Sequence, residues 1–255
     1  MRRLHSGTRL SRLLRSFAIQ GSWNYRTLIG HGFAFALLPA LRAIHRGDPE
    51  GLREAIGRHA QLFNGHPYLA PMALGAVAGL EADGAAPQVV ERFKTAVRGS
   101  LGTIGDRLVW AGWRPVCILF TLALLLAGAA GWVAVATFLV VYNAGHLVLR
   151  VWSLRLGLRE GVRIGEYMRH SSIGGAQRVV PVFGSFLVGL VVPLAVAGRH
   201  VDLAGLPDGG FSVPWLMAAA TAAVIGIRMG SGIRTPVILA LLGFTLLGLL
   251  MRVLQ

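Results

Sequence analysis

The sequence predicts an all-α integral membrane protein with several helices, some of them broken or re-entrant, and an N-terminal amphipathic helix in the membrane interface. Three properties of the composition support this fold class. Hydrophobic residues make up 54% of the 255 positions, and the mean hydropathy is +0.60. Charged residues make up only 14%, whereas a typical soluble domain carries about 25%. The composition therefore argues against a soluble globular enzyme and favours a chain embedded in lipid.

The charge balance is strongly basic, with 25 lysines and arginines against 11 acidic residues and a net charge of +14. A protein this basic can bind nucleic acid. Here the arginines interrupt apolar runs and form no soluble basic face, so we expect anionic lipids as partners and no nucleic acid. The single cysteine, Cys117, excludes an internal disulfide and a metal or cluster site built from cysteines.

Residues 1–20 are predicted to form the interfacial helix. The chain has no acidic residue before Asp48. Apolar residues recur with helical spacing and arginines fall largely between them: Leu10, Leu13, Leu14, Phe17 and Ala18, with Arg9, Arg12 and Arg15. This pattern is typical of a helix that lies in the membrane surface. The apolar stretch Phe17–Ile19 is too short for a signal peptide, whereas a transit peptide has similar chemistry and is an alternative.

A core region at residues 21–178 contains two apolar segments that are too short to cross a membrane. Gly32–Ile44 and Tyr68–Leu80 comprise 13 residues each, whereas a spanning helix needs about 20. Between them, Asp48–Asn64 is typical of a polar helix followed by a turn, with Pro49 near its start. Short apolar helices of this kind occur as half-helices and re-entrant segments in multi-helix transporter subunits.

Longer spans are predicted farther along the chain, at Val116–Val141, Val179–Ala197, Val213–Ile227 and Pro236–Met251. The last three form a C-terminal region of transmembrane helices at 179–255. The first span is ambiguous because basic residues flank both of its ends and because Gly128 and Gly131 interrupt it. It either crosses the membrane once or forms a hairpin that turns at these glycines.

The distribution of arginines predicts how the chain is oriented in the membrane. Residues 150–178 carry six arginines and two acidic residues, whereas residues 198–212 carry one arginine and two acidic residues. The positive-inside rule places the first loop and the N-terminus in the cytoplasm and the second loop outside.

Five residues beside the short apolar segments are candidates for a substrate-binding site: Trp23, Asn24, Asn64, His66 and Asp106. Polar groups at membrane depth are costly and often mark a substrate path. Amides both donate and accept hydrogen bonds, as sugar hydroxyls require, and an indole face packs against a sugar ring. Structural roles are alternatives, because Trp23 suits a membrane interface and Asn64 and His66 suit a turn. As a binding site, the five are expected to converge near the membrane midplane.

Asp106 ends a segment, Gly99–Asp106, in which every third residue is glycine. Such a face allows close packing in a membrane, and we expect it to pack against another subunit. Asp106 has two possible roles: a ligand for a substrate, or the N-cap of the following helix, for which aspartate is favoured.

The rest of the sequence offers no covalent chemistry. No pair of histidines at ligand spacing has a carboxylate beside it, so no metal is expected. Gly230–Gly232 lacks the remainder of a phosphate-binding loop, and Cys117 lies in an apolar span, where a thiol is inert. We therefore expect no catalytic residue and no cofactor.

Five groups of motifs occur in an order that resembles a known family: Gln20–Tyr25; Gly32–Phe35 with Leu38–Ala40; Arg58–His59 leading to Phe63–Asn64 and His66–Pro67; Gly105–Asp106 with Trp110 and Arg114–Pro115; and Tyr142–Asn143. Together they resemble the IID component of the mannose/fructose/sorbose class of the bacterial sugar phosphotransferase system (PTS). The resemblance is close over residues 17–165. Arg107 and His146 depart from the family pattern. A small residue or proline is common at the first of these positions, and an arginine is common at the second.

The resemblance implies a subunit of the bacterial inner membrane that pairs with a IIC subunit of similar fold. Together these subunits carry a mannose-like hexose across the membrane, and separate IIA and IIB proteins phosphorylate it through a phosphohistidine relay. The IID component itself holds no phosphorylated residue. The alternative function is that of a non-transporting membrane scaffold or regulator that retains the IID fold.

Overall fold

The computed structural model describes residues 6–170 and 173–198, which are mostly helical, with loops and two isolated β-bridges between the helices. The α-helices are α1 (Ser6–Ser16), α2 (Gly30–Ile44), α3 (Pro49–His59), α4 (Ala70–Ala82), α5 (Pro87–Gly105), α6 (Arg114–Leu126), α7 (Gly131–Glu160), α8 (Ile164–His170) and α9 (Ile173–Gly198). A π-helical segment (Asp106–Trp113) joins α5 to α6, and a 3₁₀ turn (Gly161–Arg163) joins α7 to α8. The described chain is all-α, as predicted.

Helices α2 and α4 correspond to the two short apolar segments, and each begins and ends within two residues of its predicted position. Helix α3 occupies the polar segment between them. Its N-terminus is capped by Asp48, whose carboxylate accepts a hydrogen bond from the Gly51 amide at 2.9 Å. Pro49 fills the first turn, where an amide hydrogen is not needed.

Helix α4 lies in the centre of the core because its sequence is apolar on every side. Every residue from Ala70 to Ala78 is buried. Helix α7 approaches it closely at two glycines. A β-carbon on Gly75 would lie 2.6 Å from the Leu158 nitrogen, and one on Gly157 would collide with the carbonyl group of Met72. The backbones of α4 and α7 are therefore in direct contact, as small residues allow.

Helix α5 continues into α6 through the π-helical segment. Pro115 follows in the first turn of α6. Proline has no amide hydrogen, and its ring collides with the carbonyl group four residues earlier, so ordinary α-helical pairing at Ala111 is interrupted. The wider π-helical pairing in the preceding turns accommodates this interruption.

The structure decides between the two alternatives for Val116–Val141. Helices α6 and α7 are separated by a turn in which Gly128 has a φ of 91°, a conformation that glycine adopts without steric cost. The two helices run back along each other, because the indole N–H of Trp113 donates to the carbonyl oxygen of Tyr142 at 3.5 Å. The segment is a helical hairpin.

The helices form two compact units. The first unit contains the described residues up to Arg107 together with Ala144–Gly174, and so includes α1 to α5 and the second half of α7. The second unit contains Leu108–Asn143 and the described part of α9 from Gly175. All five predicted site residues lie in the first unit.

Three helical stretches of the described chain are long and apolar enough to cross a membrane: Pro87–Leu126, Gly131–Met168 and Ile173–Val191. Large apolar side chains on them are exposed, including Trp132 and Val148 on α7. Such surfaces are suited to lipid and not to water. The fold is therefore that of an all-α membrane protein.

Helix α1 lies within the predicted N-terminal segment, and its polar side packs on the protein. Arg12 is completely buried, and the guanidinium carbon of Arg15 lies 4.5 Å from the centre of the Phe35 ring. Leu10 and Leu14 are exposed. A helix that lies alone on a membrane turns its polar face away from the lipid. In α1 the polar face packs on the protein and the outward face is apolar.

Residues 150–178, predicted as a loop, are largely helical in the described chain. Helix α7 extends to Glu160 and is followed by the 3₁₀ turn and α8. The helix continues past the apolar run because leucine, arginine and glutamate are good helix formers. The predicted span Val179–Ala197 lies within α9. The spans Val213–Ile227 and Pro236–Met251 lie outside the described residues.

Candidate functional site

Two loops of the first unit pair with each other. One comprises residues 22–31 and the other residues 61–69. The Ile29 amide donates to the carbonyl oxygen of Phe63 at 3.1 Å, and the Phe63 amide donates to the carbonyl oxygen of Thr27 at 3.2 Å. The segments that bear the two predicted asparagines are therefore adjacent.

Asn24 holds the first loop in its conformation. Its Oδ1 atom accepts hydrogen bonds from the amides of Arg26 and Thr27 at 3.0 and 2.9 Å, and its Nδ2 atom donates to Thr27 Oγ1 at 2.8 Å. The Asn24 backbone pairs with Leu28, which has a φ of 54°, an uncommon conformation outside glycine. Asparagine often closes turns in this way, so Asn24 has a structural role.

Asn64 and Trp23 present their side chains at the surface. Asn64 is exposed, and its amide makes no hydrogen bond with the residues that the structure describes. Trp23 is 47% exposed. Its indole ring packs edge-on against Tyr25, with ring centres 4.8 Å apart. Both side chains are available to a ligand.

The second loop also packs against α5, and the contact is made at glycines. A β-carbon on Gly105 would collide with the His66 side chain, and one on Gly102 would lie 4.0 Å from Gly65 Cα. Two glycines of the regularly spaced run thus pack within this chain, and the expectation that they pack against another subunit is wrong. A β-carbon on Gly99 meets no atom within 4 Å. The contact places Asp106 beside the second loop.

Asp106 is not the N-cap of a helix. Its backbone is helical, with φ −62° and ψ −43°, and its amide donates to the carbonyl oxygens of Gly102 and Thr103. An N-cap has non-helical angles and precedes the helix, so the cap interpretation is wrong. The reason is that α5 runs without a break into the π-helical segment. The Asp106 side chain is exposed.

His66 is buried in a cluster of aromatic and cationic side chains. Its Nδ1 atom accepts a hydrogen bond from the Tyr68 amide at 3.2 Å. The Tyr68 ring stacks on His146 with centres 3.9 Å apart, and Arg150 Nε donates to His146 Nε2 at 2.6 Å. Arg150 also donates to the carbonyl and hydroxyl oxygens of Ser16. The cluster ties the second loop to α7 and to the end of α1.

Burial, and to a smaller extent the charge of Arg150, lowers the pKa of His66 to about 4. The ring is therefore neutral at pH 7, with its proton on Nε2 because Nδ1 accepts. Arg150 is only 3% exposed, so it is not one of the loop charges with which the sequence analysis grouped it. The departure from the family pattern at His146, four residues earlier, is the signal that could have drawn attention to it.

A second buried cluster joins α3, α4 and α5 and is not among the sites predicted from the sequence. Glu81, 7% exposed, accepts hydrogen bonds at Oε1 from His59 Nε2 and Arg58 Nη2, both at 2.8 Å. Lys94 Nζ donates to the carbonyl oxygen of Arg58 at 2.9 Å. One carboxylate and two cations thus share a partly buried site. The Arg58–His59 motif was the available signal, but its buried acidic partner lies 22 residues beyond His59.

The protonation states in this cluster follow from burial and hydrogen bonding. Burial alone would raise the pKa of Glu81, but the hydrogen bonds from His59 and Arg58 outweigh it and hold the pKa at about 2. Burial lowers the pKa of His59 despite its bond to Glu81. We therefore treat His59 as a neutral ring that donates through Nε2. Its Nδ1 atom has no hydrogen-bond partner among the described residues, and leaving that atom unprotonated avoids a buried donor without an acceptor.

The two paired loops and the end of α5 offer hydrogen bonding and stacking at their surface. The exposed groups there include the Asn64 amide, the Asp106 carboxylate and the Trp23 indole. In residues 6–170 and 173–198, no three histidine, cysteine, aspartate or glutamate side chains are grouped to hold a metal ion.

The fold and this surface define a polytopic all-α membrane protein with a candidate binding site between loops. The chain belongs to the mannose/fructose/sorbose family of PTS IID components, whose family profile matches residues 3–201. It is similar to the mannose-specific EIID component of Escherichia coli K12, with 28% identity over 184 residues that cover 70% of this chain and 64% of that protein. The match thus spans slightly less than two thirds of the relative.

Other relatives carry different sugar names. The sorbose-specific EIID component of Klebsiella pneumoniae is 28% identical over 75% of this chain and 70% of its own length. The fructose permease IID component of Bacillus subtilis is 26% identical over 71% of this chain and 67% of its own length.

Two solved structures are similar to this chain. One is a cryo-EM structure of the mannose transporter ManYZ in complex with microcin E492, with 27% identity and a TM-score of 0.59 over 76% of this chain and 72% of that chain. The other is a membrane protein of 21% identity, with a TM-score of 0.67 over 99% of this chain and 98% of that chain. The second supports the fold alone.

Proposed function

We propose that this chain is the IID subunit of a mannose-class PTS permease and acts with a IIC subunit to carry a hexose across the bacterial inner membrane. Phosphorylation of the sugar by IIA and IIB proteins is coupled to this step. The observation that carries the proposal is the meeting of three family motifs, those containing Asn24, Asn64 and Asp106, at one place in the first unit.

The five predicted residues divide into two roles in this proposal. Asn64, Asp106 and Trp23 are assigned to sugar contact, because their exposed side chains are accessible to a ligand. An amide and a carboxylate bind hydroxyl groups, and the indole packs on the ring face. Asn24 and His66 position these groups from within the loops. A mannose-like hexose is favoured because relatives are mannose-, sorbose- and fructose-specific components.

A IIC partner is supported by the similarity to one chain of the mannose transporter ManYZ complex. The large apolar side chains exposed on α6, α7 and α9 suit contact with lipid or with such a partner. We propose that the complex is obligate. A stable, monodisperse monomer purified without IIC in mild detergent would contradict this.

We also propose a cytoplasmic N-terminus and a cytoplasmic end of α7. Arginines near α7's end, including Arg155, Arg159 and Arg163, motivate this orientation even though Arg150 is buried. Labelling of a cysteine introduced at Arg163 by an impermeant maleimide in intact cells would reverse it.

The experiment that tests the function is uptake of labelled mannose in cells that express IIA, IIB and IIC proteins with and without this chain. We expect uptake only when this chain is present. Uptake that does not change on its deletion, with the protein correctly inserted, would favour the alternative of a scaffold or regulator.

Asn64→Ala is expected to weaken apparent sugar affinity by roughly 3- to 30-fold. A lost hydrogen bond costs about 0.5–1.5 kcal/mol, and more where a buried partner is left unsatisfied, while 1.4 kcal/mol corresponds to about tenfold. Stability is expected to stay unchanged, because the exposed Asn64 side chain bonds no described residue. The measurement is the concentration dependence of mannose uptake, with thermal unfolding in detergent alongside.

Asn24→Ala is the matched comparison. It removes the hydrogen bonds that Asn24 Oδ1 accepts from Arg26 and Thr27, so it should lower the unfolding temperature as well as uptake. Equal affinity in wild type and Asn64→Ala would remove Asn64 from the sugar site.

A further inference from the structure

A groove of about 520 Å³ lies between α1 and α7 within the first unit. Its walls are apolar side chains from both helices, namely Leu10, Leu13, Val151, Leu154 and Leu158. Two arginines, Arg155 and Arg159, complete the lining. The volume falls within the range of about 300–1,000 Å³ that is typical of ligand sites.

The two arginines lie on one face of α7, since they are four residues apart on a helix. Arg155 is exposed and forms no ion pair with any described residue. Arg159 is 83% exposed, and its Nε atom lies 3.2 Å from Glu160 Oε1, while Arg163 lies 3.8 Å from the other oxygen of Glu160. Three cations against one carboxylate leave a local charge of +2.

The combination of an apolar wall and an uncompensated positive charge selects an amphipathic anion. Leu10 is 59% exposed, so the groove opens outward along the apolar face of α1. In the membrane, this face meets acyl chains, while arginines near the end of a span reach the headgroup level. A sugar has no apolar chain that could pack against the five apolar side chains.

We propose that this groove binds one anionic glycerophospholipid, with an acyl chain against the leucines and the phosphate group at Arg155 and Arg159. The site is separate from the loops proposed to bind sugar and does not depend on the proposed transport function. A basic protein attracts anionic lipid in general. The groove between α1 and α7 binds it at one defined place.

The test is native mass spectrometry of the full chain, purified together with its proposed IIC partner in non-ionic detergent and titrated with dioleoyl-phosphatidylglycerol. Arg155→Gln with Arg159→Gln should weaken binding by about 25-fold, at about 5-fold for each arginine. Arg53→Gln is the control, because Arg53 is an exposed cation on α3 with no place in the groove. It should bind within about twofold of wild type.

Three further measurements distinguish an anionic phospholipid from other ligands of the groove. Phosphatidylcholine should bind wild type and the double variant equally weakly, and glycerol 3-phosphate should not compete, because it lacks acyl chains. Leu13→Trp should fill the groove and weaken binding of both lipids, with the unfolding temperature reporting that the chain is still folded. Equal binding of phosphatidylglycerol by wild type and the double variant would overturn the proposal. Full competition by glycerol 3-phosphate, or a loss of lipid binding explained by a change in oligomeric state, would also overturn it.

Discussion

Glu81→Gln is expected to lower the stability of the folded chain by about 3–5 kcal/mol, the usual cost of removing one partner from a buried ion pair. Glutamine keeps the shape of the side chain but leaves Arg58 and Lys94 without the carboxylate beside them. Thermal unfolding in detergent, followed by tryptophan fluorescence, should show a midpoint lower by roughly 6–20 °C, at about 2–4 °C for each kcal/mol.

Glu50→Gln is the matched control on α3. It breaks an ion pair to Arg53 of 2.6 Å whose side chains are 67% and 77% exposed. Exposed pairs contribute about 0–1 kcal/mol, so the midpoint should hardly move. A Glu81→Gln protein as stable as Glu50→Gln would show that the buried cluster adds nothing to stability.

The same cluster predicts how stability depends on pH. Glu81 has a pKa of about 2 in the folded chain, against an ordinary value of 4.5. Its contribution is therefore complete above pH 4.5 and is lost as the pH falls from 4.5 towards 2. Burial also lowers the pKa of His59 below its ordinary value of 6.5. Stability therefore also falls as the pH drops below 6.5. The Glu81→Gln variant should lose less stability between pH 4.5 and pH 2 than the wild type does.

Gly75→Ala is expected to disrupt the contact between α4 and α7. The new methyl group would lie 2.6 Å from the Leu158 nitrogen and 2.8 Å from the Gly157 carbonyl carbon. These are backbone atoms, so no side chain can rotate away, and the helices must separate. Overpacking in a core costs about 1–3 kcal/mol and sometimes more. The unfolding midpoint and the yield of folded protein are the measurements.

Gly79→Ala, one turn later on the same helix, is the control. A β-carbon there meets no atom within 4 Å. Because alanine favours a helix over glycine by about 1 kcal/mol, this variant should be as stable as wild type or slightly more so. Equal stability of the two variants would mean that α4 and α7 do not approach as closely as described.

The helices could be predicted well where composition and length alone determine them. Helices α2 and α4 follow directly from 13-residue apolar segments bounded by polar turns. The flanking arginines allow either topology for Val116–Val141, and the conformation of Gly128 together with the hydrogen bond from Trp113 to Tyr142 decides it. Residues 150–178 are predicted as a loop because charged residues interrupt the apolar run, whereas in the structure arginine and glutamate continue the helix.

The candidate site could be predicted in part. Motif positions identified the segments around Asn24, Asn64 and Asp106, but not the backbone pairing that joins the two loops, which has no side-chain signature. The cap interpretation of Asp106 failed because a glycine followed by aspartate looks the same locally whether a helix begins there or continues. The buried partners of Arg150 and Glu81 are distant in sequence, so no local pattern reveals them.

The bonds from Arg150 to Ser16 constrain the order in which the protein can be assembled during synthesis. The two residues are 134 positions apart. At about 5–20 residues per second, the ribosome reaches Arg150 roughly 7–27 s after Ser16. Throughout that interval, the partner in α7 for the carbonyl group at the end of α1 has not yet been made. The exposed leucines of α1 can hold this nascent segment at the membrane surface. The contact that ties the end of α1 to α7 therefore forms only after the segment between Ser16 and Arg150 has been made.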